Sequence, residues 1–178
     1  LLDYSPQMKI IATGCALSFL KEIVNRDFVG IPARDGEKMV IGNRTLKFMF
    51  VPNLHWPDTM YTFIEEEQIL VTCDSFGAHY CLPEVVSTAI KNEEDYQKAL
   101  KYYYDCIIGP FKPFMLKALD RVEDMDISMI CTGHGPVLVG DRIKAVMKQY
   151  REWSTVVKPN PKKTVIIPEV SAYGYTKS

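Results

Sequence analysis

The chain contains 178 residues and has a formal net charge of −1, so it offers no strong basic field to attract nucleic acid or an anionic membrane. Hydrophobic residues make up 47% and charged residues 24% of the chain, a composition typical of a globular domain with its own core. No apolar run reaches the roughly 18 residues that a transmembrane helix requires. We therefore expect a protein that binds neither nucleic acid nor membrane.

Cysteine usage favours a reducing compartment. The chain has an odd number of cysteines without a CxxC pair, at Cys15, Cys73, Cys81, Cys106 and Cys131. This pattern argues against a disulfide framework and against a zinc site made of cysteines. Because no signal peptide precedes the first predicted strand, we expect a cytoplasmic protein.

The first predicted elements are a strand and a helix. The apolar run Met8–Ala12 predicts a buried strand. Apolar residues then recur at helical spacing, which predicts a helix over Cys15–Asn25 with Thr13 as its N-cap. The next segment, residues 30–38, is rich in turn-forming residues and is expected to be a loop.

The middle of the chain is predicted to be β-structure. The turn signal Gly42-Asn43 separates two apolar runs, so residues 39–41 and 45–51 are expected to form a hairpin that ends at Pro52. Two further strands are predicted at Met60–Ile64 and Gln68–Cys73, joined by a turn of three glutamates.

Helices dominate the remainder. A short irregular or helical insert is expected first, and a helix capped by Asn92, a second helix, a buried strand and a long helix follow. These elements are predicted at residues 83–91, 93–108, 114–122, 126–131 and 140–157. The mixture of strands and helices, with chemically active side chains at the ends of strands, predicts a layered α/β sandwich.

The last 21 residues carry the clearest boundary signal. Residues 158–163 are charged and interrupted by two prolines, which predicts a linker and a domain boundary near residue 160. A further strand is predicted at Thr164–Val170. Because the chain lacks an initiator Met and stops shortly after this strand, we expect both ends to lie within a larger architecture.

Three predicted strands deliver a metal-binding side chain into a loop rich in Gly or Pro. The side chains are His55, Asp74 and His134, and strand ends are where rigid scaffolds present chemistry. Imidazole and carboxylate donors suit iron, manganese or zinc. A single loop histidine more often serves as a surface or hydrogen-bonding residue, and these three donors can hold one metal or let the carboxylate bridge two.

The segments around these donors resemble the flavodiiron proteins, or A-type flavoproteins. The resemblance is carried by PNLHWPDTMYTF, ILVTCDSFGAHY, KYYYDCIIGPF and MICTGHGPV, which begin at residues 52, 69, 101 and 129. It implies a four-layer αββα sandwich of the metallo-β-lactamase type. It also implies two non-haem irons, with His55 on one, His134 on the other and Asp74 bridging them.

The same resemblance implies roles for neighbouring residues. His79 would lie beside the ligands, and Trp56, Pro57 and Asp58 would brace the His55 loop, although simple core packing is an equal reading for Trp56. Tyr103 and Tyr104 match a tyrosine pair beside the family's substrate cavity, whereas helical periodicity alone makes them packing residues.

The chain departs from the family in lacking the H-x-E-x-D motif that supplies the other ligands. We therefore expect residues 1–158 to be the C-terminal part of the diiron domain, truncated at its N-terminus, and to be inactive in isolation. Residues 159–163 would be the linker, and residues 164–178 would begin a flavodoxin-like domain. Its FMN phosphate loop would use Ser171, Tyr173, Gly174 and Thr176, although Pro168 is unusual in a strand.

Three functions compete at this stage. The resemblance implies a reductase that converts O2 to water or NO to N2O, with electrons from FMN, a redox partner protein as donor and a head-to-tail homodimer. A zinc-dependent hydrolase of the same superfamily and a non-catalytic diiron sensor of O2 are the alternatives. Bound iron and rapid O2 or NO consumption would favour the reductase, but no residue discriminates O2 from NO.

Overall fold

The structure, a computed structural model, describes residues 1–155. The predicted linker and the start of a flavodoxin-like domain lie outside these residues, as do the four proposed FMN contacts. The described chain folds into a small parallel sheet, a six-stranded mixed sheet and four α-helices. The strands are β1 (Lys9–Ala12), β2 (Val29–Pro32), β3 (Lys38–Ile41), β4 (Arg44–Phe50), β5 (Met60–Ile64), β6 (Ile69–Val71), β7 (Met129–Cys131) and β8 (Leu138–Val139).

The four helices are α1 (Gly14–Val24), α2 (Glu93–Tyr103), α3 (Lys112–Val122) and α4 (Asp141–Ser154). Helices α2 to α4 pack against the large sheet, and α1 packs against the small sheet. The core lies between the large sheet and α2 to α4, because alternate strand residues point toward these helices. Its fully buried members include Tyr61, Leu70 and Ile130 from the sheet and Leu100, Met115 and Val146 from the helices. Within residues 1–155, no helix is both long enough and apolar enough to span a bilayer.

The strands of the large sheet lie in chain order, from β3 to β8. All neighbouring pairs are antiparallel except β6 and β7, which are parallel with Val71 opposite Cys131. Two antiparallel steps return a strand to its original direction, so β4, β6 and β7 all run the same way. Their carboxyl ends therefore meet at one edge of the sheet.

Several predicted elements are confirmed. Thr13 caps α1 through its side-chain oxygen, which accepts a hydrogen bond from the backbone N–H of Ala16. The predicted hairpin is formed by β3 and β4, with Ile41 opposite Arg44 and the Gly-Asn pair between them. The side chain of Asn92 caps α2 by accepting from the backbone N–H of Asp95.

One prediction about a short element was wrong, and one short strand was missed. Residues 30–38 are not loop throughout, because β2 pairs in parallel with β1. The strand β8 was not predicted at all. Such short strands are formed by distant pairing partners, so local composition gives little signal for them. The predicted helix over residues 93–108 is confirmed, with α2 ending at Tyr103 and a π-helical turn (Tyr104–Ile108) continuing it, and a short 3-10 turn (Gly109–Phe111) follows.

Candidate metal centre

The candidate donors His55, Asp74 and His134 follow β4, β6 and β7. These three strands share a direction, so the loops after them leave the sheet at the same edge. Asp74 and His134 each lie three residues beyond the ends of β6 and β7, and His55 follows β4 after a longer loop. The topology therefore brings the three side chains together, as their positions after strands predicted.

The three side chains meet through the Asp74 carboxylate. The Nε2 atom of His55 lies 3.5 Å from Asp74 Oδ2, and Nε2 of His134 lies 3.3 Å from Asp74 Oδ1. Each carboxylate oxygen thus faces a different imidazole. Metal–ligand bonds of about 2.0–2.2 Å place two ligands of one metal roughly 3 Å apart, so each imidazole–oxygen pair fits a metal ion.

The donors form two pairs, and they do not form one closed cage. Within residues 1–155, no group of three or more His, Cys, Asp or Glu side chains is arranged to hold a metal ion. The side chains of His55, Asp74 and His134 are 30%, 22% and 52% exposed, respectively. The donor set therefore suits a shared carboxylate with open coordination positions, and it needs further ligands to close either metal shell.

The Asp74 and His134 loops approach each other closely because glycine lines their contact. We call residues 72–79 and 132–136 the paired loops. A Cβ added at Gly135 would lie 2.4 Å from the carbonyl oxygen of Ala78, and one at Gly133 would lie 3.0 Å from that of Cys73. Gly135 also has φ of +82°, a conformation that favours glycine. The two loops could not keep this spacing with larger residues.

Backbone hydrogen bonds join the paired loops. The N–H of Gly133 donates to the carbonyl of Cys73, and the N–H of Ala78 donates to the carbonyl of His134 at 3.1 Å. Cys73 itself has a left-handed φ of 50°, which turns the chain just before Asp74. Burial, and then the adjacent Asp74 carboxylate, raise the pKa of the Cys73 thiol, so this thiol stays protonated in the metal-free chain.

The loop of residues 52–59, called the His55 loop, holds itself together locally. Its bonds run from Asn53 N–H to the carbonyl of Trp56 at 2.8 Å and from the Thr59 hydroxyl to the same carbonyl at 2.7 Å. The Leu54 side chain is fully buried in the core, and the Leu54–His55 peptide bond is cis. The buried Leu54 side chain therefore anchors this loop to the core of the domain.

Trp56 is 60% exposed, so the interpretation of it as a core residue was wrong. Its ring centroid lies 5.8 Å from that of His55, and Phe111 lies 6.4 Å from His55. Nothing in the sequence pattern singled out Phe111, because its position depends on the turn that follows α2. The backbone carbonyl of Asp58 accepts a hydrogen bond from the Thr13 hydroxyl at 3.1 Å, which links the His55 loop to the start of α1.

The two candidate pocket tyrosines have different hydrogen-bond partners in the structure. The hydroxyl of Tyr103 donates to the backbone carbonyl of Asp74 at 2.9 Å, and its ring lies 4.9 Å from that of His79. The hydroxyl of Tyr104 instead pairs with Ser154 of α4 at 2.8 Å. His79 also stacks edge-on against the His134 ring, with centroids 5.4 Å apart. Tyr103 and His79 therefore border the donors directly.

An apolar cleft of about 740 Å³ opens beside the donors, between α1 and the His55 loop. Phe19 and Ile23 line its α1 side, and Trp56, Cys73 and Asp74 line the opposite side. The Asp74 side chain thus has one flank toward the protein and one toward this cleft.

The six-stranded mixed sheet, with the donors after its strands, defines a domain of the metallo-β-lactamase type. The family model described as "ODP family beta lactamase" matches residues 1–135, and the chain belongs to this family. Curated relatives are named flavodiiron or diflavin proteins. The "Flavo-diiron protein FprA2" of Clostridium acetobutylicum is 39% identical over 99% of this chain and 45% of its own length. The "Diflavin flavoprotein A 1" of Synechocystis is 38% identical over 98% of the chain and 30% of its own length.

Solved structures of the same kind match the fold. The flavodiiron protein of Giardia intestinalis has a TM-score of 0.78 and 31% identity over 82% of this chain and 36% of its own. The rubredoxin oxygen:oxidoreductase of Desulfovibrio gigas has a TM-score of 0.81 and 25% identity over 86% of this chain and 39% of its own. The predicted fold class and the resemblance to flavodiiron proteins are confirmed. The chain spans less than half the length of these relatives.

Proposed function

We propose that this chain forms part of a flavodiiron oxidoreductase that reduces O2 to water, NO to N2O, or both, at two non-haem irons with electrons from FMN. The observation that carries the proposal is the Asp74 carboxylate, whose two oxygens each lie within 3.5 Å of a different imidazole. This is the arrangement that a carboxylate bridging two metals requires.

His55 and His134 would each bind one iron through Nε2, and Asp74 would give one oxygen to each. Bound iron would supply the redox change that reduction of a diatomic gas needs and that zinc does not provide. The protein's own contribution is to hold both imidazoles and the carboxylate at fixed spacing before the metal arrives.

The groups around the donors would hold the ligands in place and limit the access of water. Burial, and then the Asp74 carboxylate, raise the pKa of Tyr103 well above its ordinary value, so this hydroxyl stays protonated and remains a hydrogen-bond donor at neutral pH. The aromatic rings of Trp56 and Phe111 lie near the His55 ring and would shield that side of the imidazole from water. His79 supports His134 through an edge-on ring contact, and Asp58 braces the His55 loop.

Three donors fill only part of two metal shells, so the remaining ligands would come from residues outside these 178. We propose that the electrons come from FMN. FMN would bind a flavodoxin-like domain whose phosphate loop begins with Ser171, Tyr173, Gly174 and Thr176, and a head-to-tail homodimer would bring the flavin of one subunit to the irons of the other. The name of the Desulfovibrio gigas relative, a rubredoxin oxygen:oxidoreductase, supports O2 as substrate and a small redox protein as donor.

The test is metal analysis and gas consumption by the protein purified without oxygen from its own organism. The proposal expects about two irons per polypeptide, as in dinuclear sites, and catalytic loss of O2 or NO when reduced flavin is supplied. Zinc in place of iron, together with turnover of a lactam or thioester, would overturn it in favour of a hydrolase. Stoichiometric O2 binding without turnover would overturn it in favour of a sensor.

A further inference from the structure

Tyr103 occupies the space between the paired loops. Its side chain is 1% exposed, and its hydroxyl donates a 2.9 Å hydrogen bond to the backbone carbonyl of Asp74. The bond holds the main chain of Asp74 at the residue whose carboxylate faces both imidazoles. A buried hydroxyl that lost this partner would be left unsatisfied, so the bond fixes both the tyrosine and the loop.

The Tyr103 ring also contacts the neighbours of that carbonyl. Its centroid lies 5.9 Å from that of His134, and a Cβ added at Gly77 would lie only 3.0 Å from its Cζ atom. One side chain therefore touches the Asp74 loop through its hydroxyl and both loops through its ring. These contacts lie on the protein side of the donors and leave the cleft side of Asp74 free.

Tyr104 provides an internal comparison. It is also 1% exposed, follows Tyr103 directly in the chain, and makes a hydroxyl hydrogen bond of similar length. Its partner is Ser154, and its ring packs against Tyr150 and Trp153. The two tyrosines thus have matched burial and bonding, but only Tyr103 reaches a donor residue.

We propose that Tyr103 is a positioning residue for the metal centre, which fixes Asp74 through its hydroxyl and His134 through its ring. This inference rests on the proposed function, because it assigns Tyr103 a role in metal binding. Tyr103 acts through the two donors and needs no contact with the substrate. Residues that orient ligands in this way commonly change metal affinity by about 10- to 100-fold when they are removed.

The first experiment needs no metal. In the Tyr103→Phe variant of the 178-residue chain, amide exchange is measured at the Gly133 and Ala78 N–H groups, which bond across the paired loops. We expect exchange about fivefold faster than in the wild type, as the loss of one ordinary hydrogen bond predicts. Tyr104→Phe should leave both amides unchanged, even though it weakens the fold elsewhere.

The second experiment uses Co²⁺ as the probe. Co²⁺ is added to metal-free protein expressed from the complete gene, which supplies the remaining ligands, and binding is followed by the visible absorption of the bound Co²⁺. We expect Tyr103→Phe to weaken this binding about tenfold and Tyr104→Phe to leave it unchanged. Because both variants lose one buried hydroxyl, a general loss of stability cannot produce this difference.

Equal weakening of Co²⁺ binding in the two variants, or faster exchange in Tyr103→Phe with unchanged Co²⁺ affinity, would overturn the positioning role. Wild-type protein expressed from the complete gene that fails to bind Co²⁺ would instead contradict the proposed metal centre. Unchanged amide exchange at Gly133 and Ala78 in Tyr103→Phe would overturn the inference about Tyr103 and would leave the proposed metal centre unaffected.

Discussion

The paired loops and the His55 loop present imidazoles to opposite oxygens of one carboxylate, but different contacts hold them. The paired loops follow two neighbouring parallel strands, and their backbones bond to each other across glycines. The His55 loop follows β4, with β5 between it and β6, and its hydrogen bonds remain mostly within the loop. One half of the site therefore depends on close approach of backbones, and the other depends on local bonds and one apolar anchor.

The difference shows how one fold can fix the positions of two donors and leave an open surface beside the third. Backbone contacts leave little freedom, so Asp74 and His134 are fixed with the domain itself. The His55 loop carries an exposed tryptophan beside an open cleft, so its outer side can accept further residues or a partner. Substitutions that affect one half and spare the other test this division.

The largest effect is expected from Gly135→Ala. The new Cβ would overlap the Ala78 carbonyl oxygen, so we expect a loss of roughly 3–5 kcal/mol in the free energy of unfolding. Gly36→Ala is the matched control, since Gly36 has a similar φ of +77° but nothing within 4 Å of the added Cβ. It should lose only about 1–2 kcal/mol from backbone conformation. Equal losses in urea denaturation would show that the loops do not depend on close approach.

The next effect concerns the anchor of the His55 loop. Leu54→Ala removes a fully buried side chain and should lower the free energy of unfolding by about 3 kcal/mol. Trp56→Ala, two residues away, should change it by less than about 0.5 kcal/mol because Trp56 is mostly exposed. Thermal unfolding of the two variants measures the contrast, and a larger loss in Trp56→Ala would make the tryptophan the anchor.

A smaller difference in stability is expected between two threonine hydroxyl hydrogen bonds, one in each half of the site. Thr72 donates to the carbonyl of Ser75 at 2.9 Å with both residues fully buried, so Thr72→Val should lower the free energy of unfolding by about 2 kcal/mol. Thr59→Val removes the bond to the Trp56 carbonyl near the surface and should lower it by about 1 kcal/mol. Amide exchange at Gly133 should rise only in Thr72→Val. Faster exchange there in Thr59→Val would mean that the halves are coupled.

The sequence predicted the elements and donors that local patterns encode. Apolar spacing, the Thr13 cap and the Gly-Asn turn were sufficient for β1, α1 and the first hairpin, and strand ends were sufficient to group His55, Asp74 and His134. The strands β2 and β8 were not predicted, because they have four and two residues and depend on distant partners. The contact of Tyr103 with the Asp74 carbonyl joins residues 29 positions apart, so helical spacing could not separate it from Tyr104.

The central claim is that one carboxylate serves two metals, and iron content in carboxylate variants tests it most directly. In the protein expressed from its complete gene under iron-replete, anaerobic conditions, Asp74→Ala should lose both irons together, whereas Asp58→Ala should keep most of its iron because it retains the backbone carbonyl that bonds Thr13. His55→Ala and His134→Ala should each lose about one of the two, since each imidazole serves a single metal in this account. An Asp74→Ala protein that keeps as much iron as Asp58→Ala would contradict the shared carboxylate.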